Sequence, residues 1–268
     1  MRTIAIANQK GGCGKTTTAV NVAVSLAEKG KRTLLVDFDP QGHSTIGLGH
    51  NIDELPVTIY DAIIKSEISI SEVILSTKFE LLDIAPSNVL LSGAEIELVS
   101  VVGREFVLTK EFKTVEDKYD ICIIDCPPSL SLLTLNALVA STDIIVPVQV
   151  HYYAMEGLKQ LFETVNILKE HLHSCNLEIL GLLLTFVEKT TLLSRQTEKQ
   201  MREYFGDLVF ETVIHRSVRL AEAPSTGEPV LTYAPESRST AEYRALAGEI
   251  INKVSVEQVD DAQALVRR

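Results

Sequence analysis

The nine residues Gln9-Lys10-Gly11-Gly12-Cys13-Gly14-Lys15-Thr16-Thr17 restrict what this chain can become more than any other segment. An apolar run precedes them, and a stretch with Ala19, Val20, Ala23, Leu26 and Ala27 at helical spacing follows. A glycine-rich turn between a strand and the start of a helix points successive backbone N–H groups at phosphate oxygens, and the helix dipole adds positive potential. In that setting Gly11, Gly12, Cys13 and Gly14 supply the cradle and Lys15 reaches the β- and γ-phosphates. The hydroxyl of Thr16, with Thr17 beside it, can ligate magnesium. A turn that only joined strand to helix would not need the Gly-Lys-Thr that ends this one.

Along the rest of the chain, apolar runs bounded by turn residues alternate with stretches of helical period. Residues 3–8, 33–37, 80–85, 121–125, 143–148 and 179–186 read as buried strands. Residues 16–29, 104–116, 155–171 and 194–205 read as helices. This alternation predicts an α/β fold, a mainly parallel sheet flanked by helices on both faces. A short strand at 209–213 and a closing helix at 240–253, which packs Tyr243, Leu246, Ala247 and Ile250, complete the expected order. No linker rich in Pro, Gly or Ser divides the chain, so residues 1–254 are expected to form one domain and 255–268 a polar, loosely held tail.

Two further runs end in carboxylates. Leu34-Leu35-Val36-Asp37-Phe38-Asp39 closes a strand with two aspartates, which alternation places on one side. At the carboxyl end of a parallel strand they face the crevice where ligands bind, and Asp39 there can orient an attacking water. Ile121-Cys122-Ile123-Ile124-Asp125 presents Asp125 at the end of a second apolar strand, where it can bind magnesium directly or through water.

Composition narrows the surroundings. The chain has no run near the roughly 20 apolar residues of a membrane span, and Asn8-Gln9-Lys10 stops the N-terminal apolar stretch too soon for a signal peptide. Its four cysteines, Cys13, Cys122, Cys126 and Cys175, show neither a disulfide framework nor metal-ligand spacing, so a cytoplasmic protein is expected. The net charge of −11, from 36 acidic and 25 basic residues, argues against a general polyanion binder. Any nucleic-acid contact must therefore come from particular residues.

The loop lacks the glycine usual at position 9 and carries an extra lysine, Lys10, before its paired glycines. In this it resembles the deviant Walker A motif of the ParA/MinD ATPases. The similarity extends to Asp37-Phe38-Asp39-Pro40-Gln41-Gly42, Gly93-Ala94-Glu95-Ile96-Glu97-Leu98 and Asp125-Cys126-Pro127-Pro128-Ser129-Leu130. It also takes in Tyr152-Tyr153-Ala154-Met155-Glu156-Gly157-Leu158 and Val218-Arg219-Leu220-Ala221-Glu222-Ala223-Pro224-Ser225, motifs of the chromosomal, Soj-type branch. The resemblance covers about residues 1–253. It implies ATP and Mg2+ as cofactors and a slow, partner-stimulated ATPase. ATP-bound monomers pair into a sandwich homodimer that binds double-stranded DNA without sequence preference, and a ParB-type protein then triggers hydrolysis and release. The protein would be cytoplasmic and nucleoid-associated when ATP-bound.

Carried over by position, Lys10 acts across the dimer, Lys15 holds phosphate and Asp39 orients water. Thr16, with Asp125 and Asp39, serves the metal. His215 and Ser217 replace the proline and asparagine that help hold adenine in the family's Pro-Arg-Asn, and Glu228 replaces a frequent lysine. Arg216, Arg219 and Arg238, with Lys189 and Arg195, are the candidate DNA contacts. The MinD alternative requires a basic amphipathic C-terminal helix. Here residues 254–262 carry three acids and no base, and no membrane partner is expected. An iron–sulfur protein of the nitrogenase iron protein type would need two suitably placed cysteines. A scaffold that uses ATP only to dimerise would not need Lys10 and Asp39.

Overall fold

The computed structural model describes residues 1–151, 154–172, 176–188 and 190–266. Its strands are β1 (Arg2–Ile6), β2 (Thr33–Asp37), β3 (Leu75–Ser76), β4 (Leu82–Ala85), β5 (Ile121–Asp125), β6 (Asp143–Gln149) and β7 (Glu178–Thr185). They form one sheet in the order β3-β4-β2-β5-β1-β6-β7, parallel except for β3. β2 and β5 are buried at every residue, as unbroken aliphatic runs require when helices cover both faces.

The helices are α1 (Lys15–Glu28), α2 (His43–Gly47), α3 (Ile59–Ile64), α4 (Ile70–Val73), α5 (Leu91–Glu97), α6 (Val107–Phe112), α7 (Leu132–Val139), α8 (Ala154–His171), α9 (Leu192–Phe205), α10 (Val218–Glu222), α11 (Val230–Tyr233) and α12 (Arg238–Val266). α1 and α12 pack on one face, where Ala19, Ala23, Leu26, Tyr243, Leu246 and Ile250 share a core with Ile4 and Ile123. Leu133 and Ala137 of α7, with Leu158 and Leu161 of α8, lie in the core on the other face. The loops leaving β1 and β5 thus run to opposite faces, which opens a crevice beyond the carboxyl ends of these neighbouring strands.

Three expectations need correction. Residues 209–213 form no strand: one bridge joins Leu182 to Val209. Beyond the main-chain bond from Phe210 N–H to the Leu182 carbonyl, side chains take up four of the segment's backbone groups, with Arg202 donating to the carbonyls of Phe210 and Glu211 and Glu249 accepting from the N–H of Glu211 and of Thr212. The helix read over 104–116 shrinks to α6, because a 3-10 turn at Arg104–Phe106 replaces its start. The closing helix, expected over 240–253, runs from Arg238 to Val266, since 254–266 holds neither Gly nor Pro to break it. The short helices α2, α3, α4, α5, α7, α10 and α11 were not expected.

Gly181 in β7 has a specific packing role. A side chain there would meet the ring of fully buried Phe210 at 2.5 Å, beside the irregular register between β6 and β7. Gly181→Ala should therefore destabilise the protein by about 1–3 kcal/mol through overpacking. The midpoint of urea unfolding will read it, and an unchanged midpoint would contradict the packing described.

Candidate active site

The loop between β1 and α1 takes the shape its glycines predict. Gly12 and Gly14 have φ of +70° and +89°, where a side chain would strain the backbone. A Cβ added at Gly11 or Gly12 would meet nothing within 4 Å, so the rim of the loop is open. α1 starts without a side-chain cap and without an acid in its first turn, which leaves its N–H groups and dipole available to an anion. Lys15, buried to 7% exposure, folds over the loop and donates from Nζ to the Lys10 carbonyl at 3.1 Å. The Cys13 thiol donates to the same carbonyl at 3.2 Å, and Thr185 donates to the Cys13 carbonyl at 2.9 Å, tying the loop to the end of β7. Cys13, Cys122 and Cys126 are free buried thiols, and Cys175 lies outside the described residues.

The two carboxylate-ended strands converge on this loop. Asp37 and Asp125 are direct neighbours in the parallel register of β2 and β5, and both are fully buried. Asp37 accepts from the N–H and hydroxyl of Thr45 at 2.8 and 2.7 Å, so it anchors the start of α2 instead of facing the crevice. Asp39 is also nearly buried, and its Oδ1 accepts from the Gln41 N–H at 2.9 Å. Asp125 accepts from the Ser44 hydroxyl at 2.8 Å through Oδ2, while its buried Oδ1 has no hydrogen-bond partner. Burial pushes the Asp125 carboxyl well above its ordinary value, the adjacent Asp37 charge adds to this, and the hydroxyls of Ser44 and Thr16 oppose it. Asp37 is also raised by burial, against the pull of Thr45.

An unpartnered buried carboxylate oxygen on a carboxyl that the Thr16 hydroxyl also reaches suits a divalent cation. Among the described residues no group of three His, Cys, Asp or Glu could hold a metal ion. Thr16 and Asp125 fit Mg2+, which takes few protein ligands and completes its shell with phosphate oxygens and water.

A cavity of about 310 Å³ adjoins the loop, lined by Gly14, Thr17, Phe186, His215, Ser217 and Tyr243 among others. His215 therefore stands where expected, but both its ring nitrogens are engaged. Nδ1 contacts Glu242 Oε1 and Nε2 contacts Arg238 Nη2, each at 2.7 Å. Arg238 is held here, also donating to Glu242 at 2.7 Å. Arg216 pairs with Glu188 at 2.9 Å and Arg219 with Glu222 at 3.0 Å, all on the surface. Arg195 is exposed on α9, and Lys189 lies outside the described residues. Sequence reasoning missed Ser44 and Thr45, whose only signal was their place just after the Asp39 run. It also missed Phe186, Glu242 and His151, whose ring nitrogen meets the exposed Lys10 ammonium.

The comparisons with known proteins bear on this geometry. The sequence profile of a family described as an AAA domain matches residues 1–179. The sporulation initiation inhibitor protein Soj of Bacillus subtilis is 48% identical over 247 residues, covering 92% of this chain and 97% of Soj. The chromosome partitioning protein ParA of Myxococcus xanthus is 44% identical over 252 residues, 94% of this chain and 88% of its own. The chain belongs to the ParA/Soj family of partition ATPases. Cobyrinic acid a,c-diamide synthase from Mycobacterium smegmatis, solved with a bound ATP analogue and magnesium, superposes with a TM-score of 0.80 at 34% identity and covers 92% and 93% of the two chains. This member of the ParA/Soj family is thus a P-loop ATPase with ATP and Mg2+ as cofactors. Among the described residues no helix is long and apolar enough to cross a membrane.

The raised carboxyls carry a pH consequence. A carboxyl whose pKa is higher folded than unfolded binds protons in the folded state, so it costs stability as pH rises from about 4 through neutrality. Asp125→Asn should stabilise the nucleotide- and metal-free protein near neutral pH by on the order of 1–3 kcal/mol, with the gap closing toward acid. Urea unfolding in EDTA across that range tests this; a gap that widened toward acid would contradict it.

Proposed function

We propose that the chain is a DNA-segregation ATPase whose ATP-bound form pairs into a sandwich homodimer and binds duplex DNA nonspecifically. Hydrolysis, stimulated by a ParB-type partner, then releases it. The observation that carries this reading is the convergence of the deviant loop, Asp39 and Asp125 at the carboxyl ends of β1, β2 and β5. The names of the relatives, one a chromosome partitioning protein, support the cellular role. The activity is assigned to one domain over 1–254, and the ATP-bound protein to the nucleoid.

In this reading the N–H groups of residues 11–17 and the Lys15 ammonium hold the phosphates, and Thr16 and Asp125 hold Mg2+. Mg2+ supplies charge to offset that developing on the transferred phosphoryl group. Asp39 orients the water in line with the γ-phosphate. Lys15 already serves its own nucleotide, so the exposed Lys10 is assigned to the partner's phosphates, for which it gives up its contact with His151. Thr17, His215 and Ser217 line the seat of the base, with His215 as a wall instead of a hydrogen-bonding reader.

Two experiments test the assignment. Lys15→Ala should weaken ATP binding in calorimetry, whereas Asp39→Ala should keep it and lose hydrolysis by about 100-fold or more, the usual scale for a positioned acid–base group. Turnover by Asp39→Ala at the parent rate would exclude it as the water-orienting group.

DNA binding is harder to reconcile with a net charge of −11, and Arg216, Arg219 and Arg238 each already face an acid of their own chain. The pairs of Arg216 and Arg219 are exposed, weak and screened by salt, so phosphates can compete for these two arginines, whereas Arg238 is held by Glu242 and His215. A dimer brings two sets to one duplex, and affinity should fall steeply with salt as counterions are released. Arg219→Glu should abolish binding to unrelated duplexes while ATP binding survives. Titrations with ADP and with ATP will read the switch, and equal affinity in both would refute it.

A further inference from the structure

The Lys10 ammonium is engaged within its own subunit, where it meets Nε2 of His151. The contact joins the loops that follow β1 and β6, two strands paired in parallel. Asn8 sets their spacing. Its amide donates to the Pro147 carbonyl at 2.7 Å, and its side-chain oxygen accepts from the Lys10 N–H at 3.0 Å. The Lys10 loop is thereby braced against β6, which brings its ammonium to the histidine.

An ammonium has donors and no acceptor, so it can hydrogen-bond Nε2 only when that nitrogen carries a lone pair. The ring must then be neutral with its proton on Nδ1. Burial, and after it the Lys10 charge, lower the pKa of His151, so the neutral ring is the form at pH 7. Lys10 acts on the ring from the β1 loop, and the ring's own backbone acts the other way.

We infer that His151 is a positioning residue that holds Lys10 in its own subunit, and that proton uptake by the imidazole releases Lys10 toward a partner. Once Nε2 is protonated, acceptor becomes donor and two positive charges face each other. The step moves one proton from solvent to Nε2 and breaks one hydrogen bond. Pairing in the ATP state therefore competes with the contact to His151, and the competition is weighted by pH. The inference rests on the proposed cross-subunit role of Lys10. It adds a residue outside the phosphate loop that sets when Lys10 is free.

The test is sedimentation of the full chain with Mg2+ and a non-hydrolysable ATP analogue. The concentration for half-association of the parent should fall about ten- to hundredfold between about pH 7.5 and about pH 5.5, because each of the two subunits gives up one hydrogen bond worth about three- to tenfold. His151→Ala should associate at the lower concentration throughout and lose this pH dependence. His151→Gln offers an amide oxygen that does not titrate, and should stay near the parent's neutral-pH value at both extremes. A His151→Ala profile that tracks the parent would overturn the inference. Lys10→Ala separates the two layers. If it associates like the parent, the cross-subunit reading fails and this inference with it. If it loses association while His151→Ala changes nothing, only the role of His151 fails.

Discussion

Asp37 and Asp125 end adjacent strands at matched positions and are fully buried, and much of the site follows from that proximity. Two carboxyls so placed cannot both ionise cheaply, and the hydroxyls gathered around them show how the fold copes. Thr45 donates twice to Asp37 and Ser44 donates to Asp125, so the two buried acids together hold the first turn of α2 in place. The Thr45 hydroxyl also accepts from the Ser87 N–H, which draws in the segment after β4. A cation at Asp125 would relieve the strain on the pair. Because the metal must displace a retained proton, its binding is linked to proton release.

The site divides into a rigid part and a contingent part. The loop, α1 and the three strand ends are buried and cross-braced, down to the Cys13 and Lys10 carbonyls. Lys10 and the arginines are exposed and engaged by neighbours that can be exchanged. The proposed function assigns nucleotide recognition to the first set and recognition of other macromolecules to the second. A chain with this net charge can therefore keep a precise ATP site while its contacts with polyanions stay dependent on salt and state.

Much of this was legible in the sequence because it depends on local pattern. The strand runs, the glycine turn and the stripe on α1 are each set within a dozen residues, and they lie where expected. Features that depend on distant partners were not legible. The 209–213 segment has strand composition, but Arg202 and Glu249 claim its backbone groups. Asp37 looked equivalent to Asp39 until Thr45 turned it inward. Arg238 looked like a free surface base, yet Glu242 and His215 hold it. In each case side-chain hydrogen bonds, which no strand or helix period encodes, decided the outcome.

The packing of α12 on α1 has a consequence for how the protein is made. Ala19, Ala23 and Leu26 share their core with Tyr243, Leu246 and Ile250, near the opposite end of the chain. A ribosome adding about 5–20 residues per second takes roughly 10–45 s to travel from one set to the other. Throughout that interval the helix bearing the phosphate loop has emerged, but part of its apolar face is without its final cover. The helix bearing the phosphate loop is thus synthesised well before its cover, and the nascent chain depends on whatever shields α1 in the meantime.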